Sequence, residues 1–495
     1  MTTTNPGYSG YRRPRGFGIG KLGTRETIIV LTAVTVVSFS PILGSLAVTG
    51  VLALAAFLLI ALAVIPVTSS GRTIMTSLAF QLRFAGAGNA SAYADDTLEE
   101  FPRGQNLPGP LAPLCPIEVE DGRGGTQALI WNRQTGLLTA PLMVAPVGLT
   151  LADDADALTW VTNFGGLLAE LGHMPLVDSL AFITETAPAG GMNQRAYTLD
   201  RLDKNTAAPE FCRGVLERLV NQSRARTAEV TCLVTINFNL SKATPVPDTL
   251  QRGAAEVVNM LPRFESSLAS CGMTVMGRMT RAGLIRYLRA AFDPAVRTTE
   301  LDDTEELWRW NDARPLRTEG SNPDVYAHDS GYSVSWVFTA PPGGVVRYRS
   351  LLPLVAPGRY HRRLCMIYRP YSAAEASKKV ESEVNAGVFR RIWAQKTKKD
   401  ETQREHDDRV KTRRAAQQES LGAGLGRFTF YLTTTVRNET TLAAACADAE
   451  ERQGQSKGRW RRARKAQEAT FMASLGVGVD PASGLSRNAA ERWGA

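Results

Sequence analysis

The chain has 495 residues, of which 44% are hydrophobic and 21% are charged, so a disordered or fibrous protein is excluded. Lys and Arg total 57 against 48 Asp and Glu, which gives a moderately basic net charge of +9. A domain takes roughly 150 residues, so the length predicts several folded units. The six cysteines and four histidines are dispersed, which argues against a disulfide framework and the common metal-ligand spacings.

A long apolar run lies near the N-terminus. Residues 27–71 contain no Asp, Glu, Lys, Arg or His, and the run is about twice the 20 residues that one membrane-spanning helix needs. Residues 38–45 include Ser40, Pro41 and Gly44, which favour a break. We therefore expect a transmembrane hairpin of two helices, over residues 28–41 and 46–67. The run is too long for a secretory signal, whose apolar core spans only about 7–15 residues.

Cations flank this run and predict its orientation. Five precede it and the connection between the helices has none, while further arginines follow it: Arg12, Arg13, Arg15, Lys21 and Arg25 before, Arg72 and Arg83 after. Because cytoplasmic flanks are enriched in Lys and Arg, both termini and the main body are expected in the cytoplasm of a cell whose inner (cytoplasmic) membrane holds the hairpin. The basic head is expected to lie on anionic lipid.

The rest of the chain predicts an α+β body. The expected division is a cytosolic head over residues 1–26, the transmembrane hairpin over 27–71, a linker over 72–116, a first α/β domain over 117–300 and a second α/β region over 301–495. In the first domain, strands alternate with longer helices, which favours ferredoxin-like βαβ units. Its predicted elements are a strand hairpin turning at 132–136, helices at 153–171, 209–226, 249–270 and 280–293, and strands at 176–186, 228–240 and 273–279.

The second region combines strands with a highly charged segment. Strands are predicted at residues 332–339, 345–353, 363–368 and 426–437, and a helix over 439–453. Residues 372–420 have the composition of a long helix whose apolar positions cease after Trp393. This segment is interpreted as a solvated helical arm, with a nucleic-acid-binding helix as the alternative.

Two acidic clusters and one basic cluster are candidate sites. Asp153, Asp154 and Asp156 begin a predicted helix, where carboxylates complement the helix dipole. Residues 302–306 are acidic and precede Trp308 and Trp310. This segment is interpreted as a solvated loop, a docking surface or a catalytic dyad. The basic cluster brackets Trp460 and is either a charged linker before a final strand or a contact for DNA or anionic lipid: Lys457, Arg459, Arg461, Arg462, Arg464 and Lys465.

The motifs of common enzymes are missing from the sequence. A nucleotide-driven motor needs the G-x-x-x-x-G-K-[ST] loop, and an α/β-hydrolase needs G-x-S-x-G. Neither pattern occurs. We therefore predict no catalytic, cofactor-binding or metal-binding residues and no enzyme activity. An alternative from a different class is a membrane-bound enzyme that uses Cys365 or His361 near Arg359, Arg362 and Arg363.

Two segments carry a resemblance to a known family. Residues 273–294, MTVMGRMTRAGLIRYLRAAFDP, combine a strand, a helix with Leu and Arg, and an Asp-Pro stop. Residues 463–481, ARKAQEATFMASLGVGVDP, contain Gln467, Phe471, Leu475 and Gly476 in a characteristic order. Together with the apolar hairpin, these segments resemble a PrgI-like or VirB-type membrane subunit fused to the N-terminal domain of conjugative type IV secretion ATPases, the CagE/TrbE/VirB group.

The resemblance implies a function and a set of partners. In that family a motor domain follows, whereas this chain ends at Ala495, as in membrane proteins of actinobacterial integrative and conjugative elements. The expected function is a non-enzymatic inner-membrane scaffold of a conjugative type IV-like DNA or protein transfer apparatus. Its expected partners are a separate transfer ATPase, other secretion-channel subunits, anionic lipid and further copies of itself, with DNA contact left open. The alternative transport function is a membrane core subunit of a type VII-like secretion system.

Overall fold

A computed structural model describes most of the chain. The described residues are 24–43, 46–67, 72–85, 90–92, 107–148, 152–188, 201, 209–223, 228–298, 308–341, 346, 348–372, 374–382, 384–385, 410, 417 and 424–481. The chain forms two compact units. Unit 1 comprises Met1–Gly88, Ala340–Arg347 and Tyr371–Leu425, and unit 2 comprises Asn89–Thr339, Tyr348–Pro370 and Gly426–Ala495.

Unit 1 contains the two predicted apolar helices. Helix α1 spans Thr24–Leu43 and α2 spans Leu46–Val64, and the two pack against each other. Pro41 lies inside the last turn of α1, which therefore ends two residues beyond its predicted end at residue 41. Within the part of the chain that is described, no helix combines the length and apolarity that crossing a membrane requires.

The segment after the hairpin has more regular structure than a linker. Strands β1 (Pro66–Val67) and β2 (Arg72–Thr73) pair with each other, and helix α3 follows over Ile74–Ala85. Strand β3 (Ala90–Ala92) belongs to the main sheet, where it pairs with a strand far along the chain. The Gly, Ala and Pro content that predicted a linker over 72–116 therefore coexists with a helix and a sheet strand.

Unit 2 is an α+β structure built on one 13-stranded sheet. Its other strands are β4 (Leu114–Glu120), β5 (Thr126–Asn132), β6 (Leu137–Pro146), β7 (Val177–Pro188), β8 (Ala228–Asn239), β9 (Met273–Arg278), β10 (Arg317–Glu319), β11 (Tyr326–His328), β12 (Gly331–Ala340), β13 (His361–Pro370), β14 (Gly426–Val436) and β15 (Arg459–Arg462). The order is β3-β10-β11-β12-β14-β13-β7-β8-β6-β5-β4, with β15 beside β12 and β9 beside β6.

The helices of unit 2 connect these strands. They are α4 (Asp154–Leu171), α5 (Glu210–Ser223), α6 (Leu250–Ser270), α7 (Arg281–Phe292), α8 (Leu352–Val355), α9 (Leu442–Gln455) and α10 (Gln467–Ser474). Side-chain caps fix two of their starts: the Thr249 hydroxyl accepts from Arg252 N before α6, and the Thr280 hydroxyl accepts from Gly283 N before α7. Helix α7 ends before Asp293-Pro294 as predicted, because proline cannot continue a helix.

Eight strands in the middle of the sheet form two halves with the same strand order. The first half is β6-α4-β7 followed by β8-α6-β9, and its strands lie in the order β9-β6-β8-β7. The second half is β12-α8-β13 followed by β14-α9-β15, in the order β15-β12-β14-β13. In both, the fourth strand lies beside the first and the third lies between the first and the second. The halves join where β7 pairs antiparallel with β13.

Each half also has a long insertion between its second and third strands. Helix α5 lies in the connection from β7 to β8, and residues 371–425 connect β13 to β14. Residues 374–382 of this connection are helical, with Ala376 and Val380 buried. Most of the predicted charged arm, residues 372–420, lies outside the described residues.

Two layers of helices cover the two faces of the sheet. Helices α4 and α6 pack on one face of the first half, in a core with Tyr368 of β13. Helices α8 and α9 pack in a core with Leu364 of the same strand. Because residues 364 and 368 point to the same side of a strand, both cores lie on one face. Helices α7 and α10 form a third core on the opposite face.

One predicted strand of the second half is wrong. Residues 345–353 were expected to form a strand, but residues 348–351 form a 3₁₀ turn that leads into α8. Pro353 lies in the first turn of α8, where its missing N–H costs no hydrogen bond. The β-branched Val345 and Val346 of the sequence indicated a strand, and the proline in the first turn was the contrary signal.

Candidate functional site

The candidate site lies at the seam where the two halves of the sheet join. Strands β7 and β13 pair from Leu180 opposite Tyr368 to Thr186 opposite Arg362. Glu185 stands opposite Arg363 in this register. Alternation along the strands places both side chains on the face that α7 and α10 cover, so the seam brings opposite charges together inside the protein.

Glu185 is the centre of a buried ionic cluster. Its carboxylate is 2% exposed and accepts hydrogen bonds from Arg363, at 3.2 Å from Nε and 3.3 Å from Nη2. It also accepts from Arg297 and from the imidazole of His361. The Arg363 guanidinium is fully buried and lies 5.5 Å from the centre of the Phe471 ring of α10. One carboxylate therefore joins β7, β13 and the turn after α7.

Burial controls the protonation of this cluster. Desolvation, followed by the charges of Arg297 and Arg363, holds the pKa of His361 well below its usual value. Since two guanidiniums already compensate the Glu185 carboxylate, His361 is neutral at physiological pH and donates its Nε2 proton to that carboxylate. Desolvation also lowers the pKa of Arg297, to about 9, so this guanidinium stays charged at neutral pH.

The geometry of the cluster suits a structural tie better than a proton-transfer site. A general base needs an accessible lone pair and a pKa near the operating pH. The Glu185 oxygens instead already accept hydrogen bonds from three side chains. Sequence reasoning missed Glu185 and Arg297. A signal did exist, because Ala181, Ile183 and Glu185 alternate on the buried face of a predicted strand, and a carboxylate in that series needs a buried cationic partner.

The two segments that carry the family resemblance meet beside this seam. Helix α7 comes from residues 273–294 and α10 from residues 463–481. The Tyr287 hydroxyl donates to the Leu475 carbonyl at 2.9 Å, and the rings of Phe292 and Phe471 lie 5.5 Å apart. All four residues belong to or pack against the core of that face. Segments nearly two hundred residues apart in sequence thus form one packed layer.

The chain after α10 crosses the seam itself. Gly476 has φ +71°, and a Cβ there would lie 2.3 Å from Ile183 Cδ1 and 3.8 Å from Cys365 Sγ. Ile183 and Cys365 are paired across the seam, so only glycine lets the backbone approach this closely. The Thr235 hydroxyl of the first half donates to the Gly476 carbonyl at 2.6 Å, and the Thr433 hydroxyl of the second donates to Ser474 Oγ at 3.1 Å.

The side chains of the enzyme alternative do not share one face of the sheet. Cys365 is completely buried, and desolvation raises the pKa of its thiol far above neutrality. It is therefore protonated and a poor nucleophile. His361 and Arg363 contact Glu185, while Arg362 reaches to the other face, where it donates to Asp448. Arg359 is exposed beside Tyr360. The structure does not bring these residues together around an open space.

The basic cluster forms a strand instead of a linker before a final strand. Residues 459–462 are β15, and the element after it is helix α10. Trp460 faces the helix layer, with its ring 5.3 Å from that of Phe338. Arg464 pairs with the Asp324 carboxylate at 2.9 Å, and Arg462 donates to the Asp324 carbonyl at 3.2 Å.

Strand alternation and turns disperse the remaining cations of this cluster. Arg459 and Arg461 point to the opposite side of β15 from Arg462. Lys457 and Lys465 occupy turns with φ +57° and +61° on either side of the strand. Lys457 and Arg459 are exposed, and Arg461 is half-buried. The six cations therefore do not form one continuous surface for a phosphate backbone.

The other predicted site residues have simpler positions. Arg12, Arg13, Arg15 and Lys21 lie outside the described residues, as does the acidic segment 302–306. Arg25 is in α1 and Arg72 in β2. Asp153 and the two aspartates that follow begin α4 as predicted, and Asp154 pairs with Arg349 at 3.0 Å. Among the residues that the structure covers, no group of three or more His, Cys, Asp or Glu is placed to hold a metal ion.

Comparison with known protein families gives no match, and comparison with curated proteins also gives none.

Proposed function

We propose that the α1 and α2 hairpin is inserted in a lipid membrane and anchors unit 2. The proposal rests on one observation, the exposure of large apolar side chains along α2, at 73% for Phe57, 69% for Leu54 and 68% for Val51. Such a surface is costly in water and favourable in lipid. The hairpin as a whole, with no charge over residues 27–71, is the inserted element, and the two helices bury part of each other.

The orientation follows from the flanking cations. With Arg12, Arg13, Arg15, Lys21 and Arg25 before the hairpin and Arg72 after it, both termini and unit 2 lie on the cytoplasmic side of the inner membrane. The basic flanks contact anionic lipid headgroups.

Unit 2 is interpreted as two fused ferredoxin-like βαβ units. The order of fourth, first, third and second strand, with helices after the first and third, supports this interpretation in both halves. The convergence of residues 273–294 and 463–481 in one core layer supports the family resemblance, since the two segments that carry it then belong to one packed layer of unit 2.

The function that fits these observations best is a non-enzymatic scaffold of a conjugative type IV-like transfer apparatus. The hairpin holds the chain in the membrane, and unit 2 docks a separate transfer ATPase and other channel subunits. The charged groups at the seam bind one another in internal ion pairs, which favours a docking role for the sheet over a catalytic one. The proposal does not include DNA contact by residues 457–465, because Arg462 and Arg464 are engaged with Asp324 and strand alternation and turns disperse the other four cations.

Flotation and alkaline extraction test the anchor. The full chain is expected to float with membranes and to resist carbonate extraction. The double variant Leu54→Lys, Phe57→Lys places two charges in α2 and is expected to appear in the soluble fraction. Glu217→Lys, a charge change on an exposed helix of unit 2, is the matched control and stays in the membrane. Release of the unaltered chain by carbonate would refute the anchor.

Co-purification tests the docking role. The membrane-extracted chain is expected to retain a conjugative transfer ATPase encoded beside it through washes at moderate salt, and reporters fused at both termini are expected to be cytoplasmic. Purified chain that hydrolyses ATP alone, or that never retains such an ATPase while it floats normally, contradicts the scaffold function but leaves the anchor intact.

A further inference from the structure

Helix α5 has an apolar face that the protein leaves exposed. It lies in the connection between β7 and β8, and its apolar residues recur every three or four positions: Phe211, Cys212, Val215, Leu216 and Leu219. Phe211 is 77% exposed, Leu219 56% and Leu216 41%. Three such side chains on one face of a 14-residue helix form an exposed apolar patch, which is typical of a binding surface.

The charges of α5 are arranged around this face in a specific order. At 3.6 residues per turn, Arg218 borders the edge that Phe211 forms, and Arg213 borders the edge that Leu216 forms. Glu210 and Glu217 lie opposite the apolar face. Cations therefore flank the apolar stripe on both sides, and the carboxylates are as far from it as the helix allows.

This order distinguishes between possible partners. A helix that lies in a lipid surface inserts its apolar side chains between acyl chains, while long cations at the boundary reach up to the phosphates. Acidic groups are tolerated only on the side that faces water. A protein groove of ordinary composition makes no such demand, since its rim carries both signs of charge.

We propose that α5 is a lipid-surface helix that binds anionic membrane. Phe211, Val215 and Leu219 enter the acyl boundary, Arg213 and Arg218 contact lipid phosphates, and Glu210 and Glu217 face the cytoplasm. The inference extends the proposed function, because the hairpin brings α5 to a membrane whose effective lipid concentration is high. A weak surface contact then suffices to hold this connection of the first half against the bilayer.

The native Cys212 permits a direct test, since it is exposed on the apolar face whereas four of the other cysteines are buried and Cys115 is half-buried. The full chain, with Cys115→Ser, is reconstituted into vesicles and labelled at Cys212 with a polarity-sensitive fluorophore. The matched control carries Cys212→Ser and Glu217→Cys, which moves the label to the opposite side of α5.

In vesicles with equal parts phosphatidylglycerol and phosphatidylcholine, the label at position 212 is expected to shift to the blue. Lipid-borne quenchers are expected to quench it several-fold more than the label at 217. High salt, or vesicles of phosphatidylcholine alone, is expected to reduce the difference. Phe211→Asp with Leu219→Asp is expected to abolish it while the protein still floats through its hairpin.

Each contrary outcome has a distinct meaning. Equal quenching at 212 and 217 in a protein that floats overturns the lipid-surface helix and leaves the anchor intact. A label at 212 that is shielded from water but is not quenched by the lipid-borne quenchers indicates a protein partner or a second copy, which also overturns it. If the unaltered chain fails to float, the proposed anchor itself is refuted.

Discussion

The two halves of the sheet share a strand order but are packed by different chemistry. In the first half, α4 and α6 are 18 and 21 residues long, and their buried face is aliphatic and aromatic, with Leu261 and Phe264 almost inaccessible. In the second half, α8 and α9 have only 4 and 14 residues. Helix α9 buries the small side chains Ala445 and Ala449.

In the second half, ion pairs supplement the contacts of these shorter helices. Arg362 is nearly inaccessible and donates to Asp448 of α9, which Arg452 also contacts at 3.0 Å. Arg452 further donates to the carbonyls of Pro353 and Ala356 at the end of α8, at 3.0 and 3.2 Å. The same strand order is therefore compatible with two kinds of helix layer, one packed mainly by large apolar side chains and one in which small apolar side chains are combined with a charged network.

The largest effect is expected from removing the carboxylate that joins the halves. Glu185→Gln leaves Arg363 and Arg297 without their negative partner, and an uncompensated buried charge typically costs about 3 to 5 kcal/mol. We expect a loss of this size in the urea unfolding free energy of the detergent-solubilised chain. Hydrogen exchange is expected to accelerate first in β7 and β13.

Glu229→Gln is the control, since Glu229 is an exposed carboxylate on β8. It is expected to change stability by less than about 0.5 kcal/mol. Equal effects of the two substitutions would show that the seam does not depend on Glu185.

A cavity in the first half tests its apolar core. Leu261→Ala removes a fully buried side chain between α6 and the sheet, and we expect a cost of about 3 kcal/mol. The exposed Leu219→Ala on α5 is the control and is expected to cost little. A small effect of Leu261→Ala, measured by urea unfolding, would contradict an aliphatic core as the main support of this half.

The first half was predicted more closely from the sequence than the second, because its signals are local. Periodicity and caps predicted α4, α6, α7 and β5 to β9 closely, because apolar spacing and the Thr249 and Thr280 caps are local signals. In the second half, α8 was predicted as a strand and the β15 segment as a linker. Both elements are short and carry proline or charge, so their structure depends on partners that are remote in sequence.

The candidate site was hardest to predict because it depends on pairing between the halves. Nothing near Glu185 in the sequence indicates Arg297 or Arg363, which lie more than a hundred residues away. The repeated strand order of the two halves was not predicted either, because no internal repeat stands out in the sequence. The register of β7 against β13 brings Glu185 to Arg363, and the packing of the turn after α7 adds Arg297.

Acidification is expected to weaken the core beside the second half. Burial lowers the pKa of His328 from 6.5 to about 4, although its contact with the Phe292 carbonyl opposes this shift. Between these values the unfolded chain binds a proton that the folded protein excludes, so the stabilisation is complete above about pH 6.5 and is lost as the pH falls towards 4. The loss amounts to roughly 3 kcal/mol.

Urea unfolding of the full chain across this pH range measures the effect. His328→Gln removes the titrating group and is expected to flatten the dependence, with His173→Gln, at a surface turn after α4, as the control. If His328→Gln retained the original slope, other groups would account for the acid sensitivity, with the neutral His361 of the seam the first to test.

The smallest effect is expected where the charged network of the second half meets water. Asp448→Asn keeps the size of the side chain but removes the charge that compensates Arg362 and Arg452. Because Asp448 is 28% exposed, solvent screens part of the loss, and we expect a cost of about 2 kcal/mol rather than the larger value at the seam. Hydrogen exchange is expected to rise in α9 and β12, with β6 and β8 unchanged. Loss of protection in both halves at once would show that they unfold as one cooperative unit, in which case their different packing chemistry makes no difference to local stability.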